Sequence, residues 1–219
     1  MKGTANTPPK LTMIFEQIPL GPMQNFSYLI GCSKTRECAI VDPAWDSKIL
    51  EDAAKKHKLT IKKILVTHTD YDHINAVEQL FKDTKAPVYV HTLGVNDIKA
   101  RNVSDVIAID EGSEIKVGTI PISVIYTPGH KPTNVCFILD KKIITGDTLF
   151  VEGCGRVDMP GGNIKKQWDS LQRLKKMDDD MGVYPGHDYG SLPHSTIGYE
   201  KKHNPYLLSG SFEEFLGRR

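Results

Sequence analysis

Strand-type and helix-type segments alternate in both halves of this chain, which predicts an α/β (α+β) fold of two mixed β-sheets flanked by helices. Three observations carry that expectation. The segments do not follow a plain strand–helix repeat, which argues against a single doubly wound parallel sheet. No linker, low-complexity tract or repeat of about 20 to 50 residues divides the chain. Its 219 residues, 39% hydrophobic and 25% charged, are enough for a sizeable core. The expected organisation is a flexible N-terminus over residues 1–10, with Pro8 and Pro9 among small polar residues, then a single domain over 11–219.

In chain order, LTMIFEQI (11–18), FSYLIG (26–31) and ECAIVDP (37–43) read as short strands, the last closing at Asp42-Pro43. Residues 47–57 place Ile49, Leu50, Ala53 and Ala54 on one helical face. KKILVTH (62–68) is apolar and poorly alternating, as in a strand buried on both faces. A helix over 74–82 (Ile74, Val77, Leu80, Phe81) and the strand VYVH (88–91) complete the first half. The second half restarts with EIKVGTIPISVIYTPGH, where Gly118-Thr119 marks a hairpin-like turn and a Pro-Gly turn precedes His130. VCFIL and KIITGD form a strand pair joined by the polar Asp140-Lys141-Lys142. NIKKQWDSLQRLKKM reads as a helix with Ile164, Trp168, Leu171 and Leu174 on one stripe. GVYPGHDYG is a strand and a turn, and the rest looks helical or irregular.

Composition excludes several functional classes. Lys+Arg 28 against Asp+Glu 27 gives a formal net charge of +1, so nucleic acid and anionic membranes gain no electrostatic argument. No apolar run reaches the roughly 18 to 20 residues of a membrane span. MKGTANTPPK lacks the apolar stretch of a secretory signal. Cys32, Cys38, Cys136 and Cys154 are scattered, form no C-x-x-C pair and suggest no disulfide framework. The expectation is a soluble, cytoplasmic protein that engages neither nucleic acid nor membrane.

The chemistry concentrates in VTHTDYDHINA, where His68, Asp70, Asp72 and His73 fall on one loop between a strand and a helix. Imidazoles and carboxylates converging on a loop held by rigid elements suit a divalent metal. Three further positions follow the same grammar: His130 closes TPGH, Asp147 closes ITGD and His187 closes YPGH. Each follows a glycine at the end of an apolar run, and strand ends on one edge of a layered sheet fold are where ligands gather. Taken singly, each is an ordinary turn residue or surface histidine. Their shared placement predicts one assembled site.

The series His68-x-Asp70-x-Asp72-His73, His130, Asp147 and His187 resembles the metallo-β-lactamase superfamily, whose motif is H-x-H-x-D-H followed by His, Asp and His. The resemblance implies a four-layer αβ/βα sandwich with a metal centre on one edge between the sheets. ITGDTLFVEGCGR with PGHDYG is similar to the branch holding hydroxyacylglutathione hydrolases (the second glyoxalase enzyme) and persulfide dioxygenases. By position, it implies one metal on His68, residue 70 and His130, another on Asp72, His73 and His187, and Asp147 bridging. Residue 70 is Asp where the pattern has His. A carboxylate hardens that site and favours iron or manganese over zinc. The implied cofactors are two divalent metal ions, zinc or iron/manganese.

Two mechanisms fit this constellation. In the hydrolytic one, metal lowers the pKa of water from about 15.7 to about 7. Asp72 orients the nucleophile and moves its proton while a small thioester or ester is cleaved. Resemblance to the hydroxyacylglutathione hydrolases adds Arg156 and Tyr189 as substrate contacts for a glutathione part. Those enzymes carry an aromatic residue where this chain has Asp158. The alternative is a mononuclear iron dioxygenase acting on glutathione persulfide, with one Fe(II) on His68, His130 and Asp147. GCGR-x-D, HDY and STIG-x-E-K…NP (Ser195 to Pro205) resemble those enzymes. A third reading is a catalytically weak, ligand-binding relative, which leaves the many retained charges without a physical need. The expected partner is a small molecule, on the enzymatic readings a glutathione or other thiol derivative. Dimers are common in such folds, so a homodimer is compatible. His91 reads as a structural histidine.

Overall fold

The computed structural model describes residues 13–218, and the segment 1–10 expected to be flexible lies outside the described residues. The first half of the chain forms β1 (Met13–Leu20), β2 (Asn25–Cys32), β3 (Glu37–Val41), α1 (Ser47–Lys56), β4 (Thr60–Leu65), α2 (Tyr71–Ile74), α3 (Val77–Thr84), β5 (Val88–His91), α4 (Val95–Lys99) and β6 (Val106–Ile109). The second half forms β7 (Glu114–Val117), β8 (Ile120–Tyr126), β9 (Val135–Leu139), β10 (Lys142–Gly146), α5 (Ile164–Lys175), β11 (Gly182–Pro185), β12 (Ser195–Thr196), α6 (Ile197–His203), α7 (Pro205–Leu208) and α8 (Phe212–Leu216).

Each half builds one six-stranded sheet, in the orders β1-β2-β3-β4-β5-β6 and β12-β11-β10-β9-β8-β7. Both are mixed. The first turns parallel from β3 onward, and the second has one parallel pair, β10 with β11. Tyr28, Ile30, Val41 and Leu65 of the first sheet pack against Ile122, Val124, Phe137 and Ile144 of the second. The outer face of the first sheet is covered through Leu50, Val77 and Leu80, and that of the second through Leu171, Leu174, Leu207 and Phe215. The layers therefore run α/β/β/α, as expected. No helix among the described residues is long and apolar enough to cross a membrane.

Local departures from the expected pattern have physical causes. β4 ends at Leu65 rather than His68, although Val66, Thr67 and His68 stay fully buried. Beyond Leu65 the backbone leaves the regular ladder, and side chains of neighbouring loops hold it. Asp46 caps α1 by accepting from Lys48 N at 2.8 Å, and the buried stripe is then Ser47, Leu50, Ala53 and Ala54. Ile49 falls off its edge at 45% exposure. α2 begins at Tyr71, so Asp72 and His73 ride on a single helical turn. The TIPIS hairpin forms as expected, with Val117 opposite Ile120 and Gly118 in the left-handed region at φ +57°. His91 is buried and stacks on Tyr126 at 4.4 Å, a structural histidine.

Candidate metal centre

The loops that leave β3, β4, β8, β10 and β11 meet at one edge of the sandwich. Two glycines let them close. Gly146, in ITGD, has φ +48°, and a Cβ there would lie 2.5 Å from Thr67 Oγ1. A Cβ on Gly186, in YPGH, would lie 2.3 Å from Asp147 Oδ1. Gln167 of α5 ties two of the loops together: its Oε1 accepts from His130 N at 2.9 Å and its Nε2 donates to Thr148 O at 2.7 Å. Phe26 N donates to Gly186 O at 2.8 Å, joining the first sheet to the His187 loop.

Asp147 sits at the centre. Its Oδ1 is 3.3 Å from His73 Nε2, and its Oδ2 is 3.4 Å from His187 Nε2, 3.7 Å from His130 Nε2 and 4.0 Å from His68 Nε2. Asp72 Oδ2 lies 3.3 Å from His187 Nε2 and 3.6 Å from His73 Nε2. Among the described residues three buried groups have donor atoms within 4.8 Å of one another: His68–His130–Asp147 and Asp72–His73–His187 face the cavity, and Asp42–His68–His73 lies behind them. Asp70 faces the first cluster, with Oδ2 3.0 Å from His130 Nε2 and 3.9 Å from His68 Nε2. Its other oxygen, Oδ1, is 2.6 Å from Lys131 Nζ.

Every imidazole is held by its other nitrogen. His130 Nδ1 donates to Arg156 O at 2.7 Å, and His187 Nδ1 donates to Met23 O at 2.8 Å. His73 Nδ1 donates to Asp42 Oδ2 at 3.1 Å. Thr67 Oγ1 gives its own proton to Asp42 Oδ2 at 2.6 Å, so it accepts from His68 Nδ1 at 3.0 Å. All four rings are thereby set to present Nε2 lone pairs inward, the arrangement that orients histidines for a metal. His73 Nε2 and His187 Nε2 lie 3.1 Å apart, a spacing that suits two ligands of one metal ion or a proton shared between them. His68 Nε2 and Asp147 Oδ1 are buried without a hydrogen-bond partner. The donor set fits divalent metal on both sides of Asp147.

The electrostatics divide the histidines between those that are already neutral and those that would give up a proton to a metal. Burial, reinforced by His73 nearby, pushes His68 well below the ordinary histidine range, so it is neutral and free to ligate. Burial would lower His73 too, but the Asp147 and Asp42 carboxylates outweigh it and raise His73 well above that range. Burial would raise Asp147, yet the imidazoles around it, His73 foremost, hold it well below the usual carboxylate range. Asp70, against its own burial, is likewise held down by His130, His68 and Lys131 and stays ionised.

Comparison with known families decides the assignment. The family model described as Metallo-beta-lactamase superfamily matches residues 20–187, which span every residue of both clusters. The chain belongs to this superfamily. Among relatives, "Probable polyketide biosynthesis zinc-dependent hydrolase PksB" of Bacillus subtilis (strain 168) is 31% identical over 195 residues, covering 88% of this chain and 85% of that protein. A "Probable hydroxyacylglutathione hydrolase" of Schizosaccharomyces pombe is 31% identical over 228 residues, covering 87% and 85%. The crystal structure of ETHE1 from Myxococcus xanthus superposes with a TM-score of 0.85 at 34% identity, covering 94% and 89%.

In this metallo-β-lactamase superfamily chain the clusters open into a cavity of about 740 Å³, walled in part by Met23, Tyr71, Phe150, Met159, Tyr189 and Tyr206. Tyr189 stacks on His187 at 4.5 Å, with the rings 7° from parallel, so it buttresses a histidine of the candidate centre as well as facing the cavity. Arg156 also lies on the wall, but its Nε and Nη2 each donate to Asp158 at 2.6 Å. Sequence reasoning passes over the residues that orient the site. Asp42 holds His73, and it closes the apolar run ECAIV just as Asp147 closes KIITG, which is the signal that could have found it. Asn25, whose Nδ2 donates to Asp72 Oδ2 at 2.8 Å while Trp45 Nε1 holds its oxygen at 2.7 Å, has no such signal.

Proposed function

We propose that this chain is a metal-dependent hydrolase that cleaves a small thioester or ester. The observation that carries the reading is the pair of donor clusters, with Asp147 in one of them and also 3.3 Å from His73 and 3.4 Å from His187 of the other. His68, His130 and Asp147, with Asp70 beside them, would hold one divalent ion, and Asp72, His73, His187 and Asp147 the other. A bound divalent ion lowers the pKa of water from about 15.7 to about 7 and polarises a carbonyl. Each side then offers two imidazoles and two carboxylates, and a carboxylate at Asp70 in place of an imidazole hardens the His68 side toward iron or manganese.

The chain's own groups do the rest. Asp72 is fixed by Asn25, lines the cavity and lies at hydrogen-bond range of the site's interior, so it orients the attacking water and takes its proton. Asp42 and Thr67 keep His73 and His68 in the ligating tautomer. Phe150 and Tyr189, in contact at 5.5 Å, form an aromatic wall that keeps bulk water from the His187 side.

The second reading, a mononuclear iron dioxygenase acting on a persulfide, draws support from one contact. The Asp70–Lys131 pair diverts Asp70 and leaves His68, His130 and Asp147 as a two-histidine, one-carboxylate triad. A thioester and ester panel, run beside oxygen uptake with glutathione persulfide, separates the two. Hydrolysis that falls by about 10²-fold or more in Asp72→Asn is the expected result. Oxygen uptake without hydrolysis would overturn the proposal.

A further inference from the structure

Asp72 has two tasks in this site, as a ligand on the His73 side and as a base toward water, and both need its carboxylate aimed. Its Oδ2 accepts from Asn25 Nδ2 at 2.8 Å, and Asn25 is fully buried. An amide can present either its oxygen or its NH2 to a neighbour, so a buried one is oriented by the polarity of the groups around it. Trp45 supplies one fixed polarity. Its Nε1–H can only donate, and it meets Asn25 Oδ1 at 2.7 Å, which turns the NH2 end toward Asp72.

The indole is held in place at some cost to the backbone. Trp45 lies in the turn between β3 and α1 with φ +55°, in the left-handed region that bulky residues rarely occupy. Its backbone N–H donates to Asn75 Oδ1 at 2.5 Å, which ties this turn to the residue after α2. Gly21 lies against the ring, and a Cβ there would fall 2.2 Å from Trp45 Cδ1, so the slot is open only because residue 21 has no side chain. The ring also meets Tyr71, a cavity-wall residue next to Asp72, at 6.4 Å with the planes 86° apart. Strain, slot and hydrogen bond all point the same N–H at the same amide.

We infer that Trp45 is a positioning residue: its indole N–H locks the Asn25 amide and thereby aims Asp72 as metal ligand and as base. Without that N–H, Asn25 Oδ1 is left buried with a lost donor, and the amide relaxes away from the orientation that serves Asp72. A carboxylate freed in this way binds metal less tightly and meets the attacking water less often in the productive geometry. The role as base rests on the hydrolase reading, whereas the role toward metal does not.

Trp45→Phe tests this, because it keeps an aromatic ring in the slot and removes the N–H. Cobalt(II) is the probe, since its visible bands respond to the number and arrangement of its ligands, and chelator competition gives its affinity. The tighter binding step should weaken by about tenfold, with a change in the bands. Thioester hydrolysis should lose about tenfold in kcat while KM stays within about twofold. In an Asn25→Ala background the same substitution should change nothing further, because the path to Asp72 is already cut. Unchanged cobalt affinity in Trp45→Phe, or losses that add in the double variant, would overturn the inference. The two readings fail separately. A protein that hydrolyses no thioester but loses cobalt affinity in this non-additive way sinks the hydrolase and keeps Trp45 in its role. One that hydrolyses thioesters with cobalt affinity unmoved in Trp45→Phe does the reverse.

Discussion

On the His73 side of Asp147, Asn25 fixes Asp72, while Asp42 and Met23 O fix the outer nitrogens of His73 and His187. On the His68 side, His68 and His130 are fixed in the same way, but the fourth group, Asp70, shares its carboxylate with Lys131. The two sides use similar donors and differ in what else those donors hold. A carboxylate already paired with an ammonium is a poorer ligand, because binding a metal means giving up or sharing a charge-assisted bond. The His73 side should therefore load first, and the His68 side more weakly.

The largest effect should come from removing what the sides share. Asp147→Ala takes a carboxylate from both clusters and should leave little metal and activity down by at least about 10²-fold. Elemental analysis and the thioester assay check it. Asp42→Ala should cost about 10- to 100-fold in metal affinity, since it strips the outer support from His73 directly and from His68 through Thr67. Chelator competition reads that loss, and a loss confined to the weaker step would break the comparison.

Asp70→His combined with Lys131→Thr should tighten the His68 side by about tenfold and narrow the gap between the two steps. The smallest effect concerns pH. His73 is raised well above the ordinary range, while on the other side His130 is raised less far and His68 is pushed down, so as pH falls a proton competes with metal more strongly on the His73 side. Affinity on the His73 side should fall with acidification faster than on the His68 side. Parallel loss at both sides would contradict that ordering.

The candidate ligand positions are readable in the chain because His130, Asp147 and His187 each close an apolar run and His68, Asp70, Asp72 and His73 crowd one loop after another such run, and a strand end can be placed without knowing its neighbours. The sandwich is readable for the same reason, from alternating runs long enough to show a period. Short elements are not: β6, β12 and α4 have 4, 2 and 5 residues, too few for a periodic signal. The support of the site is also hidden. Asp42 reaches His73 only because β3 pairs parallel with β4, Val41 opposite Leu65, which brings the two strand ends side by side. Lys131 becomes Asp70's partner only when two loops far apart in the chain meet. Arg156 reads from its position as a substrate contact, while its side chain is claimed by Asp158, two residues along. Local pattern gives which residues stand at the edge, and long-range pairing decides what each one touches.

Stepwise metal titration of chelator-stripped protein, with the bound ions counted by elemental analysis, tests the two-sided site most directly. Two ions per chain, bound in separate steps of which the tighter disappears in His187→Ala, is the predicted result. A single ion per chain that survives in His187→Ala would place the metal on His68, His130 and Asp147 alone and contradict it.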